Sequence, residues 1–286
     1  MFDVLLLPVS AVLWFWHRVT GSLLDPDSGS AWALAIVFLV FSVRALLVRP
    51  TLSQLRAARR MRDLAPHVQR IRAKYRDDRA RTAQEIQKLH ADHGTSMLAG
   101  CLPALLQIPV FLSLFWVLRG FAPEARTNHV FDREGVESFL GADLFGAKLG
   151  NWLSQSTAEL AAFGTDRLHM VAVGGPLLLV ASLATYLSMR MSLWRQGDTA
   201  AVGGPAVFGK TMVYLAPAGM LLSGALFPVP LGVLLYFLAN NLWTFGQQYV
   251  LTRVLDREEE RARAVRPKAA GPRPGQKPRR NGPRSA

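Results

Sequence analysis

The stretch AWALAIVFLVFSVRALLV, residues 31–48, is 18 residues long and carries one charge, Arg44, and one hydroxyl, Ser42. As an α-helix it rises about 27 Å, close to the roughly 30 Å hydrocarbon core of a bilayer. A guanidinium inside that layer costs several kcal/mol, with estimates running from about 3 to more than 10. No Asp or Glu stands in any comparable apolar stretch of the chain. The compensation must come from water or from an acid brought by a ligand. Arg44 is four residues from Val48, about 6 Å of helix rise. Two readings follow: a side chain that snorkels to the headgroups, or one that lines a water-filled cavity.

Working outward, four further segments read as spans: 98–118, 168–189, 211–227 and 231–251, all without Asp, Glu, Lys or Arg. The expected fold is all-α and polytopic, with five transmembrane helices. The mean hydropathy of +0.19 hides this alternation, because the whole chain of 286 residues has a net charge of +13. Orientation follows from Lys and Arg in the connections. Residues 49–97 hold twelve against five acids, 252–286 hold eleven against four, and 190–210 hold three against one. Residues 120–167 instead carry four basic and seven acidic side chains. The positive-inside rule then puts the N-terminus outside and the C-terminus in the cytoplasm of a multi-pass plasma-membrane protein.

Residues 1–30 are apolar only from Val4 to Trp16, too short to cross, and are expected to form an interfacial helix and linker on the outside. A cleaved signal peptide fits less well, since Asp3 stands where a basic region is usual. In the basic segment 49–97, Leu64, Val68, Ile71 and Tyr75 form one apolar stripe, Asp77 and Asp78 interrupt, and Ala83, Ile86 and Leu89 resume. That pattern predicts an antiparallel helical hairpin, either a solvated spacer or a docking arm for polyanions. Pro103 and Pro109 are expected to kink the second span. The extracytoplasmic loop 119–167 contains Phe139, Leu140, Leu144, Phe145, Leu149, Trp152 and Leu153, which suggests an amphipathic segment lying on the outer leaflet. The last helix is expected to continue to Arg263, with Glu259 and Arg263 paired at i, i+4, before a Pro/Gly-rich cationic tail begins at Arg266.

In the last span Tyr236, Asn240, Trp243 and Gln247 recur at four, three and four, with Asn241, Thr244 and Gln248 widening the stripe. Polar side chains in a span should face other helices or water, so this face is the natural counterpart of Arg44. Gln107, Thr185, Tyr186 and Ser188 are further candidates. Three other signals carry no function. Gly204 to Thr211 matches the phosphate-loop pattern, but a polar loop precedes it and a membrane span follows, where a buried strand and an α/β core are required. His90 and His93, beside Asp92, lack a third metal ligand. Cys101 is the only cysteine, so neither an intrachain disulfide nor a thiolate cluster can form. No catalytic constellation is visible, and no cofactor or metal is called for.

Phe41 to Leu47 leading to Pro50, the basic helix ending Ile71-Arg72-Ala73-Lys74-Tyr75, the run Leu98 to Pro103 continued by Leu106-Gln107-Ile108-Pro109-Val110-Phe111, and Leu235-Tyr236 followed by Asn241-Leu242-Trp243 and Gln247-Gln248 together resemble the YidC/Oxa/Alb membrane protein insertases. The resemblance implies a five-span core with a hydrophilic groove, open to the cytoplasm and the lipid, that contains the first-span arginine. Ser42, Arg44, Gln107, Thr185, Tyr236, Asn240, Trp243 and Gln247 are the groove residues expected here. It implies nascent membrane proteins as substrates, with the ribosome, anionic lipids and the Sec translocon as partners. Phe237 departs from relatives with a second tyrosine at that place, which removes a hydroxyl from the substrate slide. The long outer loop and the Arg/Pro-rich tail resemble an actinobacterial variant. A competing function class is a small-solute channel or transporter that uses Arg44 as an anion site; it calls for internal repeats or several intramembrane charges, and neither is present.

Overall fold

A computed structural model describes residues 3–94, 102–196 and 204–265. Among these the architecture is almost wholly helical: α1 (Asp3–Leu23), α2 (Gly29–Leu46), α3 (Val48–Asp63), α4 (Ala65–Lys74), α5 (Arg79–Asp92), α6 (Leu102–Arg119), α7 (Arg133–Gly141), α8 (Thr157–Ala162), α9 (Arg167–Gln196), α10 (Gly204–Leu226) and α11 (Leu231–Val265). One two-stranded hairpin, β1 (Asp143–Leu144) and β2 (Ala147–Lys148), interrupts them. The chain divides into two units, 1–247 and 248–286. In the second unit Thr252 bonds back to the Gln248 carbonyl at 2.7 Å and Arg253 covers the Tyr249 ring. Cys101, residues 197–203 and the tail beyond 265 lie outside the described residues, as do the side chains of Gln107 and Arg263.

Two described helices are long and apolar enough to cross a bilayer, Gly29–Leu46 and a 27-residue stretch Arg167–Leu193; Ile108–Arg119 and Thr211–Leu226 are shorter apolar helices. Prolines 109, 176 and 217 lie inside α6, α9 and α10. Helices can keep such prolines in lipid because neighbouring helices and side chains satisfy the freed carbonyls. The phosphate-loop look-alike, Gly204 to Thr211, forms the first two turns of α10, so it is a helix start and not the loop that wraps a phosphate.

The α2 helix ends at Leu46, two residues short of the apolar run, with a turn at Leu47 before α3. The break places Pro50 in the first turn of α3, where its missing N–H costs nothing. In the same way a break at Leu64 puts Pro66 in the first turn of α4. The basic segment is therefore three helices, of which α4 and α5 pack together across the Tyr75–Asp78 turn. Asp78 caps α5 by accepting from the Arg81 amide at 2.9 Å. Lys74 and Arg81 both cover the Tyr75 ring, at 5.0 and 4.9 Å from its centroid. His90 is buried, while His93 bonds back to the Leu89 carbonyl; no metal-binding group forms among the described residues.

Helix α1 is 21 residues long, so it outruns its apolar stretch. It packs on α2 and α6, burying Val9, Ser10, Leu13 and Thr20 and leaving Val4, Leu7, Trp14, Phe15 and Leu23 exposed. Its polar atoms are used locally. Trp16 Nε1 donates to Ser42 Oγ at 2.8 Å, and Thr20 Oγ1 donates to the Ala31 carbonyl at 2.9 Å.

The loop between α6 and α9, expected as an amphipathic segment, is a folded cap. Phe131, Val136, Phe139, Ala142, Ala147, Leu149 and Leu160 are all buried and belong to the core. Trp32 of α2 anchors it, with its ring 5.7, 5.4 and 5.0 Å from those of Phe121, Phe131 and Phe139, and its Nε1 donates to Ser138 Oγ at 3.1 Å. The cap also supplies the missing carbonyl partners at the start of α11: Leu231 N–H donates to Asn151 O and Gly232 N–H to Leu149 O, both at 2.9 Å. Gly29 has no room for a side chain, because a Cβ there would sit 1.7 Å from the Asp143 carbonyl oxygen.

Candidate functional site

The seam between the last turns of α2 and the first half of α11 holds the candidate site. Arg44, in the last turn of α2, is half-buried and aims its guanidinium at α11. Nε donates to Asn240 Oδ1 at 2.8 Å, and Nη2 donates to the same oxygen. One neutral acceptor thus engages two of the five guanidinium N–H groups. Among the described residues no carboxylate lies within ion-pair distance of Arg44. Tyr236, one turn earlier on α11, is buried.

The α11 stripe assembles beside this pair. Trp243 packs its ring 5.2 Å from that of Phe41, one turn before Arg44, and its Nε1 donates to Gln247 Oε1 at 2.9 Å. Thr244 turns its hydroxyl back to the Asn240 carbonyl. On the other side of Tyr236 the seam is aromatic: Phe111 of α6 lies 5.6 Å from the Tyr236 ring and 5.2 Å from the Phe237 ring. Phe237 therefore contributes apolar surface where a tyrosine would add a hydroxyl.

Arg44, Tyr236, Asn240, Trp243 and Gln247 thus come together, whereas Ser42, Thr185, Tyr186 and Ser188 make other contacts. Ser42 spends its hydroxyl on Trp16 of α1. Thr185 belongs to a polar clamp between α9 and α11, in which Asn241 Nδ2 donates to Thr185 Oγ1 at 2.9 Å and Ser188 Oγ donates to Asn241 Oδ1 at 3.0 Å. Asn240 and Asn241 are about 100° apart around the helix, so one faces Arg44 and the other faces α9. Arg190 donates to the Tyr186 hydroxyl at 2.7 Å on the exposed side of α9. The side chain of Gln107 lies outside the described residues. Phe41 and Phe111 were not singled out as site residues by the sequence, because an aromatic in an apolar run has no periodic signal separating a seam-lining ring from a core one.

The family model described as 60Kd inner membrane protein matches residues 23–259. A protein of Mycobacterium tuberculosis named membrane protein insertase YidC is 40% identical over 98% of this chain and 81% of its own length. Proteins of the same name from Mycolicibacterium paratuberculosis and Streptomyces avermitilis are 39% and 32% identical, covering 98% and 88% of this chain and 84% and 58% of theirs. With apolar helices of membrane-spanning length and a match across most of its residues, the chain belongs to the 60Kd inner membrane protein family of YidC-type membrane protein insertases.

Proposed function

We propose that this protein inserts nascent membrane proteins into the bacterial plasma membrane through a hydrophilic groove at the α2–α11 seam. The observation that carries the reading is Arg44, a cation in an apolar helix whose partner is the neutral Asn240 and which has no carboxylate of its own among the described residues. Such a site favours an acid that arrives with the substrate. The α2, α6, α9, α10 and α11 helices are read as the five spans, with the N-terminus outside and the basic helices α3–α5 in the cytoplasm. An acidic or polar segment of the substrate enters beside Arg44, Tyr236, Asn240, Trp243 and Gln247, and this shortens the hydrophobic distance it must cross. The adjoining hydrophobic segment moves along the aromatic face of Phe111, Tyr236 and Phe237 into lipid. No covalent chemistry or cofactor is required. Ribosomes and anionic lipid are the natural partners of the basic helices and tail, and the Sec translocon is a further one.

The test is reconstitution of wild type and Arg44→Ala into liposomes, scored for insertion of a single-span protein with an acidic external tail and of one with a neutral tail. Wild type inserts both, and Arg44→Ala loses about tenfold or more on the acidic tail alone, as expected when one charged hydrogen-bonded contact of about 1.5–3 kcal/mol is removed. Equal rates for both proteins on both tails would overturn the groove role of Arg44.

A further inference from the structure

Phe145 stands at the tip of the β1–β2 hairpin, 88% exposed, with φ +52°. Leu144 pairs with Ala147, so Phe145 and Gly146 form a two-residue loop with both φ values positive, +52° and +83°. That is the geometry for which Asn-Gly is the usual sequence, and a bulky side chain there is a strained choice. The core gains nothing from it, since the ring points away from the cap.

The tip has a fixed neighbour. Thr165 Oγ1 donates to the Gly146 carbonyl at 2.6 Å, and a Cβ on Gly146 would come within 2.5 Å of the His169 ring. His169 is itself held by Asp166, through Nδ1 at 2.9 Å. The hairpin tip is therefore seated against the first turn of α9. From that turn an exposed apolar stripe runs down one side of α9: Leu168 (75% exposed), Val171, Leu179, Leu183 and Leu187. Leu168 to Leu187 is about 28 Å of helix rise, which matches a hydrocarbon core of roughly 30 Å. Phe145 stands beside the end of this stripe nearest the cap.

We propose that Phe145 is a lipid anchor, inserted with Leu168 at the boundary between headgroups and acyl chains, and that it holds the folded cap down on the outer leaflet beside α9. The occupant is lipid because the exposed tip is continuous with the apolar surface of a helix long enough to span. The inference rests on α9 crossing the membrane and is independent of the groove.

The experiment places an environment-sensitive fluorophore on Phe145→Cys in full-length chain whose own Cys101 is replaced by Ala, reconstituted into phosphatidylcholine–phosphatidylglycerol liposomes. Leu179→Cys and Glu134→Cys serve as bilayer and water references; Glu134 is exposed on the polar side of α7. The anchor requires blue-shifted emission at 145, quenching by a lipid with a shallow nitroxide, and iodide quenching several-fold weaker than at 134. Iodide quenching equal to that at 134 would place the tip in water and overturn the proposal. Protection from both quenchers would place it against protein, a second copy of this chain, and overturn it equally. A label at 179 that no lipid nitroxide quenches would refute the spanning of α9, on which the anchor depends, while leaving the insertion assay on Arg44 to stand or fall separately.

Discussion

Asn240 holds Arg44 with a single oxygen, so the cation is oriented but not neutralised. Asn240→Asp supplies a carboxylate of nearly the same shape in that place. The resulting half-buried ion pair competes directly with an incoming acid. Insertion of acidic-tailed proteins is expected to fall about tenfold, as for Arg44→Ala, although the two substitutions change the site charge in different ways and the fold persists. Liposome insertion rates beside melting curves in detergent check this; an Asn240→Asp protein that inserts at the wild-type rate would refute it. Gly146 makes a backbone argument. At φ +83° with the His169 ring 2.5 Å from a built Cβ, Gly146→Ala combines a left-handed penalty with a clash. It should lower stability by about 1–3 kcal/mol, read as a lower melting temperature, whereas Gly141→Ala, in open space at the end of α7, should change it little.

Between elements, polar side chains join helices that cannot rely on the hydrophobic effect in lipid. Asn241 ties α11 to α9 through Thr185 and Ser188 and also donates to the Phe237 carbonyl one turn earlier at 2.9 Å. Asn241→Leu removes this clamp without touching Arg44. It should cost about 0.6–2 kcal/mol of stability, and a double-mutant cycle with Ser188→Ala should show coupling. Additive losses would mean that the clamp is not a unit. The α1–α2 contact works in a similar way, with Trp16 stacked on Phe38 at 4.8 Å and bonded to Ser42.

For the molecule as a whole, the corner where α1, α2 and the cap meet should make stability depend on pH. His17 stacks on Trp32 with centroids 3.7 Å apart and bonds the Pro26 carbonyl at 2.9 Å. Burial pushes its pKa below the ordinary 6.5, against the smaller opposing effect of the Pro26 hydrogen bond. A histidine whose folded pKa is depressed contributes stability that is complete above the unfolded value and is lost as pH falls through the folded one. The melting temperature should therefore decline as pH drops below about 6.5, and His17→Phe should flatten that part of the profile. A second decline belongs to the cap carboxylates. The hydrogen bonds from the His169 amide and ring hold Asp166 low, and those from the Ser156 hydroxyl and amide hold Glu159 low. Their contribution is present above the ordinary carboxylate range and disappears only in more acid solution. Protection factors of α8 and the start of α9 against hydrogen exchange should be flat from pH 7 to 5 and fall below about pH 4. Faster exchange already at pH 6 in the His17→Phe protein would contradict the assignment.

The amino-acid sequence by itself determined the helical class, the apolar stretches, the lone charge at Arg44 and the face of α11 that would meet it. These follow from local physics. A charge in an apolar run is visible at a single position, and a polar stripe at spacings of four, three and four is visible within one helix. The family resemblance rested on the same local patterns. The tertiary structure alone decided how neighbouring polar residues divide. Asn240 serves the arginine and Asn241 serves α9; Ser42, two residues from Arg44, is taken by Trp16; Thr185 joins the clamp. It also decided that residues 119–167 fold into a packed cap around Trp32 and that α2 stops at Leu46. Each of these depends on which element arrives at a given face, and a hydroxyl or amide makes the same mark in a sequence whether its partner is a ligand, water or another helix.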